Sequence, residues 1–382
     1  MEQKTIVTVT SEPDNIGNII LSIRGREMFF ETSEWVNPSC DFAIWAALPI
    51  AMRYGGTLQI NGSTSTLARR NAEDLSVIWS TWMPKLFRPV VVRSEGYIET
   101  AEVNCEAENA LMLYSGGVDS TYALRRFVDE GNAPPDLLTI HGMDYRRTDH
   151  ERFQKLQERT ALFRQKHAGK SIEVRSNAAS VMRRFGVSSS IGHGFQLFST
   201  LFLFDCTYKT GLIAADFNFK QDYLTIPWGT NSLTNPLFVG SRMKIQTLAN
   251  DVTRGEKLKS LYSDSIALRT LSFCKNYSVR PDNCGTCSKC VRTKAMFHAA
   301  GLDIPDIFLI GGFDIADLKF LDLSKPIEVA FCTDVLKLAR ASGRESDFDA
   351  ISAQLFSMKK KTKLASLSSK IQAYLRGIKA KN

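Results

Sequence analysis

Residues 110–127 read ALMLYSGGVDSTYALRRF, an apolar run that meets two glycines and continues at once in a helical pattern. The run from Ala110 to Tyr114 predicts a buried strand, and the pattern after it predicts a helix that begins near Asp119 or Ser120. Glycines let the backbone approach a ligand closely. The N–H groups at a helix start, reinforced by the helix dipole, bind anions. This strand–turn–helix segment therefore predicts a phosphate site, and a plain tight connection is the alternative.

The chain beyond this segment alternates strand-like and helix-like stretches. The strand-like runs are ALMLY, LLTIHG, SIEVRS and GLIAADF, and the helix-length segments are STYALRRFVDE, ERFQKLQERTALFRQKH and GFQLFSTLFLFDCTY. Repetition of strand, helix and strand predicts a parallel sheet covered by helices on both faces. We therefore expect an α/β fold.

The sequence predicts three regions. Residues 1–108 read as an N-terminal α/β domain without a catalytic motif. Residues 109–322 read as a nucleotide-binding domain that includes the cysteine-rich segment 274–290. Residues 323–382 read as a helical, basic C-terminal region.

The composition is that of a folded chain with a basic tail. The 382 residues are 44% hydrophobic and 23% charged, which excludes a largely disordered protein. The net charge of +8 comes from the C-terminus, because residues 357–382 carry eight Lys or Arg and no acid. Leucines and isoleucines at helical spacing in this tail predict a packing helix with a solvated basic face. A surface for RNA or for a membrane is the alternative.

Signals for export or membrane insertion are not found in the sequence. The N-terminal segment MEQKTIVTVTSEPDN lacks the continuous apolar core of a signal peptide, and no apolar run reaches membrane-spanning length. We therefore expect a cytoplasmic protein without a membrane partner. In such a protein, eight cysteines indicate metal binding more than a disulfide framework.

Four cysteines are spaced C-x9-C-x2-C-x2-C, and they are Cys274, Cys284, Cys287 and Cys290. Four thiolates can close a tetrahedral zinc site, and the two-residue spacings let the backbone turn so that neighbouring sulfurs face one ion. With every position filled by thiolate, zinc would stabilise the fold rather than activate water. An iron–sulfur cluster and unliganded core thiols are the alternatives.

The phrase Ser-Gly-Gly-Val-Asp-Ser resembles the signature of the PP-loop ATP pyrophosphatases, Ser-Gly-Gly-x-Asp-Ser at the start of an α/β nucleotide-binding domain. The resemblance implies that ATP is split between its α- and β-phosphates and that Asp119 helps to hold Mg²⁺. The ATP-binding residues it implies in the loop are Ser115, Gly116, Gly117, Val118, Asp119 and Ser120. It places His141 and Gly142, after the second strand, beside the base and ribose; a polar loop without this role is the alternative. No Walker A sequence occurs, so transfer of the γ-phosphate is not indicated.

A second resemblance covers roughly residues 110–300. The loop followed by Cys-Gly-x-Cys-x-x-Cys is similar to the 7-cyano-7-deazaguanine synthases, a PP-loop family, and Arg292 lies close to the family's arginine. QDYLTIP resembles the family's Glu-Asp-Tyr-x-x-Tyr-Pro segment, which implies that Asp222 and Tyr223 bind substrate. The family adenylates 7-carboxy-7-deazaguanine, lets ammonia displace AMP, and activates the amide again to form a nitrile.

The chain departs from this family in three places. IGHGFQLF stands where the family has Pro-Gly-Arg-Asn, and it introduces His193. We take His193 and Asp119 as the two catalytic candidates; a helix-start histidine without a role is the alternative. PWG replaces Pro-Asp-Cys at residues 227–229. About 110 residues precede the loop, and relatives with extra domains are components of bacterial antiphage systems. The resemblance therefore implies antiviral defence, with an N-terminal domain that recognises a protein whose amine attacks the adenylated deazapurine.

The sequence thus favours an ATP- and Mg²⁺-dependent, zinc-stabilised ligase that joins a carboxylate to an amine, either ammonia or a protein amine. Two other hypotheses stay open. One is a PP-loop enzyme that modifies tRNA and holds this nucleic acid with the basic tail, and the other is a nucleotide-binding scaffold without activity. Synthesis of 7-cyano-7-deazaguanine for queuosine is a further alternative, and the oligomeric state is open.

Overall fold

The computed structural model describes residues 3–11, 17–36, 38–99 and 110–357. The chain divides into two units, Met1–Asn283 and Cys284–Asn382. The basic residues of the predicted tail all fall within 358–382, outside the described residues.

Among the described residues, the first unit contains one sheet of ten strands. The strands are β1 (Lys4–Ser11), β2 (Asn18–Ile23), β3 (Arg26–Glu31), β4 (Gly56–Ser65), β5 (Val90–Ile98), β6 (Leu111–Leu113), β7 (Asp136–His141), β8 (Ser171–Ser176), β9 (Thr210–Ala214) and β10 (Lys244–Leu248). Their order across the sheet is β10-β9-β6-β7-β8-β3-β2-β1-β4-β5.

The sheet is mostly parallel. Neighbours from β10 through β8 are parallel, as are β1, β4 and β5. The three antiparallel pairs lie in the middle, where β8 meets β3, β3 meets β2 and β2 meets β1. The α/β class predicted from the alternating pattern is confirmed, and the four strand-like runs after Ala110 correspond to β6, β7, β8 and β9.

The burial of the strands follows from their positions. Every residue of β7 is buried, as expected of a central parallel strand covered on both faces. In β2, buried residues alternate with more exposed ones, so this antiparallel strand buries mainly one face.

Nine helices of the first unit are defined among the described residues. They are α1 (Asp41–Tyr54), α2 (Thr66–Trp82), α3 (Val118–Asp129), α4 (His150–His167), α5 (Ala178–Arg184), α6 (Ser189–Leu201), α7 (Phe219–Thr225), α8 (Arg254–Leu261) and α9 (Ser265–Thr270). The sequence of α1 is apolar on all sides, and the helix is accordingly buried from Asp41 to Met52 and packs against α6. The indole N–H of Trp45 in α1 donates to the carbonyl of Val239 at 2.8 Å.

In its described part, the second unit is helical. It contains α10 (Ser288–Ala299) and α11 (Pro326–Ser342), which pack together, and residues 349–357 are also helical. Arg292 of α10 donates to both carboxylate oxygens of Glu328 of α11 at 3.1 Å, and its guanidinium lies 3.7 Å from the Phe331 ring centroid. The arginine that follows the last cysteine therefore joins two helices.

The predicted region boundaries at residues 108 and 322 stay predictions. Strands from both sides of residue 108 belong to the same sheet, where they meet at the pairing of β3 with β8. Within the described part of the chain, none of the helices combines the length and the apolar character needed to span a membrane.

Candidate functional site

A cavity lies where the order of the parallel strands reverses, beside the central strand β6. It has a volume of about 190 Å³ and is lined by the ends of β6, β7 and β9, by α6 and by the loop before α3. In open α/β sheets, ligands bind beyond the carboxyl ends of the strands at such a reversal. The fold therefore places the predicted phosphate loop at the edge of the sheet where a ligand is expected.

The loop before α3 presents hydroxyl and N–H groups to this cavity. Ser115, Gly117 and Ser120 line it, together with Asp119. The hydroxyls of Ser115 and Ser120 lie 3.3 Å apart, and Gly117 N–H donates to Ser115 Oγ at 3.3 Å. Because α3 begins directly after Gly117, the positive end of its dipole adds to this polar loop. The arrangement suits an anion such as phosphate.

Gly116 and Val118 shape the loop without lining the cavity. Gly116 has a φ of 70°, and a Cβ at this position would lie 2.9 Å from Cγ2 of Thr160. A side chain there would therefore be strained in conformation and crowded against α4. Val118 is buried at the first position of α3.

Asp119 is held by two cationic side chains. Arg254 donates to both of its carboxylate oxygens, and Lys257 Nζ donates to Oδ1 at 3.0 Å. Lys257 is fully buried and also donates to the carbonyl of Ala215 at 2.6 Å. Both cations belong to α8, whose start is set by a capping box between Thr253 and Glu256. Sequence reasoning missed this pair, and the capping box was the signal that α8 begins there.

Both oxygens of Asp119 already accept from cations, so Mg²⁺ at this carboxylate would be repelled by the charges of Arg254 and Lys257. Its role as a magnesium ligand stays a prediction. Arg254 and Lys257 carry two positive charges against the single negative charge of Asp119. This excess of positive charge beside the loop favours phosphate electrostatically.

His193 lies on α6 and lines the same cavity as the loop. Its Nδ1–H donates to the carbonyl of Ser189 at 2.9 Å, while Nε2 lies 3.0 Å from Thr230 Oγ1 and 3.8 Å from Asp216 Oδ2. Gly194 allows α6 to approach the backbone at Gly229, because a Cβ at residue 194 would lie 1.9 Å from the carbonyl oxygen of Gly229. The predicted catalytic residues His193 and Asp119 thus line one cavity.

Asp216 follows β9 and is a cavity residue that sequence reasoning missed. Its Oδ2 accepts from the indole N–H of Trp228 at 2.8 Å and from the hydroxyl of Thr230 at 2.7 Å. Burial opposes ionisation, but the interaction with His193, the Trp228 hydrogen bond and the charge of Arg254 hold the pKa of Asp216 well below its usual range. An acid directly after a strand, as in GLIAADF, was the available signal.

His141 and Gly142 do not line the cavity. His141 is buried, its ring stacks on Phe153 with centroids 4.2 Å apart, and Nε2–H donates to the carbonyl of Arg146 at 3.0 Å. Gly142 has a φ of 118°, and a Cβ there would lie 1.8 Å from the carbonyl oxygen of Ser176. The two residues shape the end of β7, and their contact with a nucleotide stays a prediction.

Asp222 and Tyr223 also lie outside the lining of the cavity. The carboxylate of Asp222 is buried and accepts the Ser232 N–H at 3.0 Å. Burial, with the nearby charge of Asp216, raises the pKa of Asp222 to about 6. Tyr223 is exposed on α7. Their role in substrate binding stays a prediction.

The four cysteines predicted to bind zinc lie close together. The sulfur atoms of Cys274, Cys284, Cys287 and Cys290 all lie within 4.8 Å of one another. The Cys287–Cys290 and Cys284–Cys290 sulfur separations are 3.5 and 3.9 Å. Tetrahedral zinc with Zn–S bonds of 2.3 Å requires sulfurs about 3.8 Å apart. The cluster can therefore hold a metal ion such as zinc.

Backbone groups around the sulfurs favour the thiolate form. Asn276 N–H donates to Cys274 Sγ at 3.3 Å, and the N–H groups of Thr286 and Cys287 donate to Cys284 Sγ at 3.4 and 3.3 Å. Gly285 permits this turn with a φ of 86°, where a Cβ would lie 2.1 Å from the carbonyl oxygen of Ile310. These donors supply the surroundings that a metal-bound thiolate requires.

Comparison of the chain with models of protein families, with curated proteins and with solved structures finds no match. The fold and the two sites define an α/β protein with a mostly parallel sheet, a polar loop and a cavity where the strand order reverses, and a four-cysteine cluster that can hold a metal ion.

Proposed function

We propose that the protein is an ATP-dependent ligase of the PP-loop type. The carboxylate of a substrate attacks the α-phosphorus of ATP, the bond to the β-phosphate breaks, and pyrophosphate leaves. An amine then attacks the acyl carbon, and AMP leaves with the electron pair of the acyl–oxygen bond. Forming the acyl adenylate gives a poor electrophile a stabilised leaving group, so the protein must chiefly position the reactants and offset charge.

One observation carries this proposal: the Ser-Gly-Gly-Val-Asp-Ser loop opens a helix at the edge of the cavity where the strand order reverses. Its hydroxyl and N–H groups suit the phosphates of ATP. Arg254 and Lys257 both donate to Asp119, which belongs to the same Ser-Gly-Gly-Val-Asp-Ser segment. The carbonyl of Gly116 accepts the N–H of Ser272 at 2.8 Å, so the loop is fixed before a ligand binds. A fixed set of donors binds phosphate without a further ordering cost.

For the acid, we propose 7-carboxy-7-deazaguanine or a related deazapurine. The support is the resemblance of the loop and cysteine spacing to the 7-cyano-7-deazaguanine synthases, together with a cavity whose walls include Leu138, Ile140 and Ile213. The acceptor is ammonia or the amine of a protein, with a defence role in the second case. A protein acceptor gives a secondary amide, which cannot proceed to a nitrile, so a single activation completes the reaction.

For the metals, we propose structural zinc at the four cysteines and Mg²⁺ with ATP. Four thiolates leave no open position for water on zinc, so the ion would stabilise the fold. Mg²⁺ usually binds through substrate phosphates and few protein carboxylates, which suits a site where Asp119 is already paired.

The test is incubation of the full chain with ATP, Mg²⁺, 7-carboxy-7-deazaguanine and ammonia, with AMP, pyrophosphate and product mass followed together. We expect equal amounts of AMP and pyrophosphate that depend on the acid. Ser120→Ala should lower kcat/KM for ATP about tenfold or more, as expected for loss of a hydrogen bond to a charged phosphate. Ser180→Ala, an exposed serine on α5, is the matched control. AMP formation no greater than without the acid would refute adenylation of this substrate.

A further inference from the structure

Asp216 borders the cavity with a carboxylate of which one oxygen is unpaired in the described part of the chain. Asp216 lines the cavity at the end of β9, and its side chain is 31% exposed. Oδ2 accepts from Trp228 and Thr230, whereas Oδ1 has no hydrogen-bond partner among the described residues. The carboxylate is therefore fixed through one oxygen and offers the other to a ligand.

The surroundings of Asp216 require this ligand to be a hydrogen-bond donor. An ionised carboxylate only accepts hydrogen bonds. Thr230 has one hydroxyl proton and gives it to Asp216, and the Ser189 carbonyl accepts from Nδ1–H of His193. Nε2 of His193 lies 3.0 Å from Thr230 Oγ1, so both ring nitrogens of this histidine contact protein oxygens.

The walls of the cavity favour an apolar heterocycle over a small ammonium ion. The apolar residues that line the same cavity are Leu113, Leu138, Ile140, Leu197 and Ile213. A strongly hydrated ammonium ion gains nothing from apolar walls, whereas a flat aromatic ring buries apolar surface against them. A ring that also carries N–H donors satisfies both the walls and Oδ1.

We propose that Asp216 is the residue that recognises the substrate heterocycle, with Oδ1 accepting from the 2-amino group of a 7-deazaguanine ring. This assignment rests on the proposed function for the choice of ring. Thr230 and His193 are positioning residues, because they act through Asp216 and fix which of its oxygens is free. His193, predicted as a catalytic residue, thus positions Asp216, which binds the substrate ring.

The proposal predicts a preference for rings that carry the 2-amino group. Binding of 7-deazaguanine and of 7-deazahypoxanthine, which lacks that group, is measured by calorimetry with the full chain and without ATP. The wild-type protein should bind 7-deazaguanine about ten- to hundredfold more tightly, as expected for a hydrogen bond to a charged group. Asp216→Asn should reduce this ratio to near one. Asp74→Asn, an equal change of charge on the exposed face of α2, should leave it unchanged.

Thr230 provides a second test that does not depend on the folding of the Asp216 variant. Thr230→Val should reduce the preference about two- to tenfold, because Asp216 loses one of the two hydrogen bonds that hold Oδ2, and Thr230→Ser should restore it. Equal affinities of the wild-type protein for both compounds, no binding of either, or a preference that Asp216→Asn retains would overturn the assignment. A preference that depends on Asp216 without any formation of AMP would refute the proposed adenylation and leave the assignment standing.

Discussion

The buried carboxyl of Asp41 should make the first unit more stable at pH 5 than at pH 8. Asp41 begins α1 and has no exposed surface. Its Oδ1 accepts the Ser65 N–H at 2.7 Å, whereas Oδ2 has no hydrogen-bond partner among the described residues. Burial, with the nearby charge of Asp205, raises the pKa of Asp41 from 3.8 to about 7.

The sign and size of the effect follow from this shift. Between pH 4 and 7 the folded protein keeps a proton that the unfolded chain releases, so the free energy of unfolding falls as the pH rises through this window. Each pKa unit corresponds to about 1.4 kcal/mol. The free energy of unfolding should therefore fall by about 3 kcal/mol between pH 5 and the folded-state pKa of about 7. Asp41→Asn is neutral at every pH and removes this contribution.

Urea unfolding followed by tryptophan fluorescence measures the effect, because all five tryptophans belong to the first unit. The free energy of unfolding of the wild-type protein, minus that of Asp41→Asn, should fall by about 3 kcal/mol between pH 5 and pH 8. Taking the difference removes the contribution of other acids such as Asp222. Asp74→Asn should follow the wild-type protein at both pH values. Parallel pH dependence of the wild-type protein and Asp41→Asn would refute the reasoning.

Two further substitutions test the packing of α6 and the cysteine cluster. Gly194→Ala should lower the melting temperature by several degrees, since its Cβ would lie 1.9 Å from the Gly229 carbonyl oxygen. Gly311→Ala, whose Cβ would have no atom within 4 Å, should leave the melting temperature unchanged. Equal melting temperatures of the two variants would contradict the close approach. Cys284→Ser should abolish the bound zinc measured by elemental analysis, whereas Cys332→Ser, a buried cysteine outside the cluster, should retain it. A zinc content that Cys284→Ser leaves unchanged would exclude the cluster as the zinc site.

Local patterns predicted the elements well. The strand before Ser115 and the helix after Gly117 follow from an apolar run, two glycines and a helical pattern within 18 residues of each other. The spacing of the four cysteines predicted their cluster for the same reason, since three of them are separated by only two residues. In both cases, the residues that meet in space are close in sequence.

Contacts between distant segments were not predicted. His193, Asp216 and Thr230 meet only because α6, β9 and the following loop converge on the cavity, across as many as 37 residues of chain. Lys257 reaches Asp119 across 138 residues. Hydrophobic periodicity describes which face of an element is buried, but it carries no information about which polar residues from two elements face each other.

The pairing of β3 with β8 has a consequence for the exposed backbone of the protein. Without β3, β8 would end the parallel sheet β10-β9-β6-β7-β8 and would present unpaired N–H and C=O groups, which is the geometry that promotes association between chains. Phe30 and Glu31 pair with Ser176 and Arg175, and Asn177 exchanges hydrogen bonds with the backbone of Glu27 and Phe29. The N-terminal strands therefore cover the last two residues of β8, which would otherwise be open to pairing with another chain.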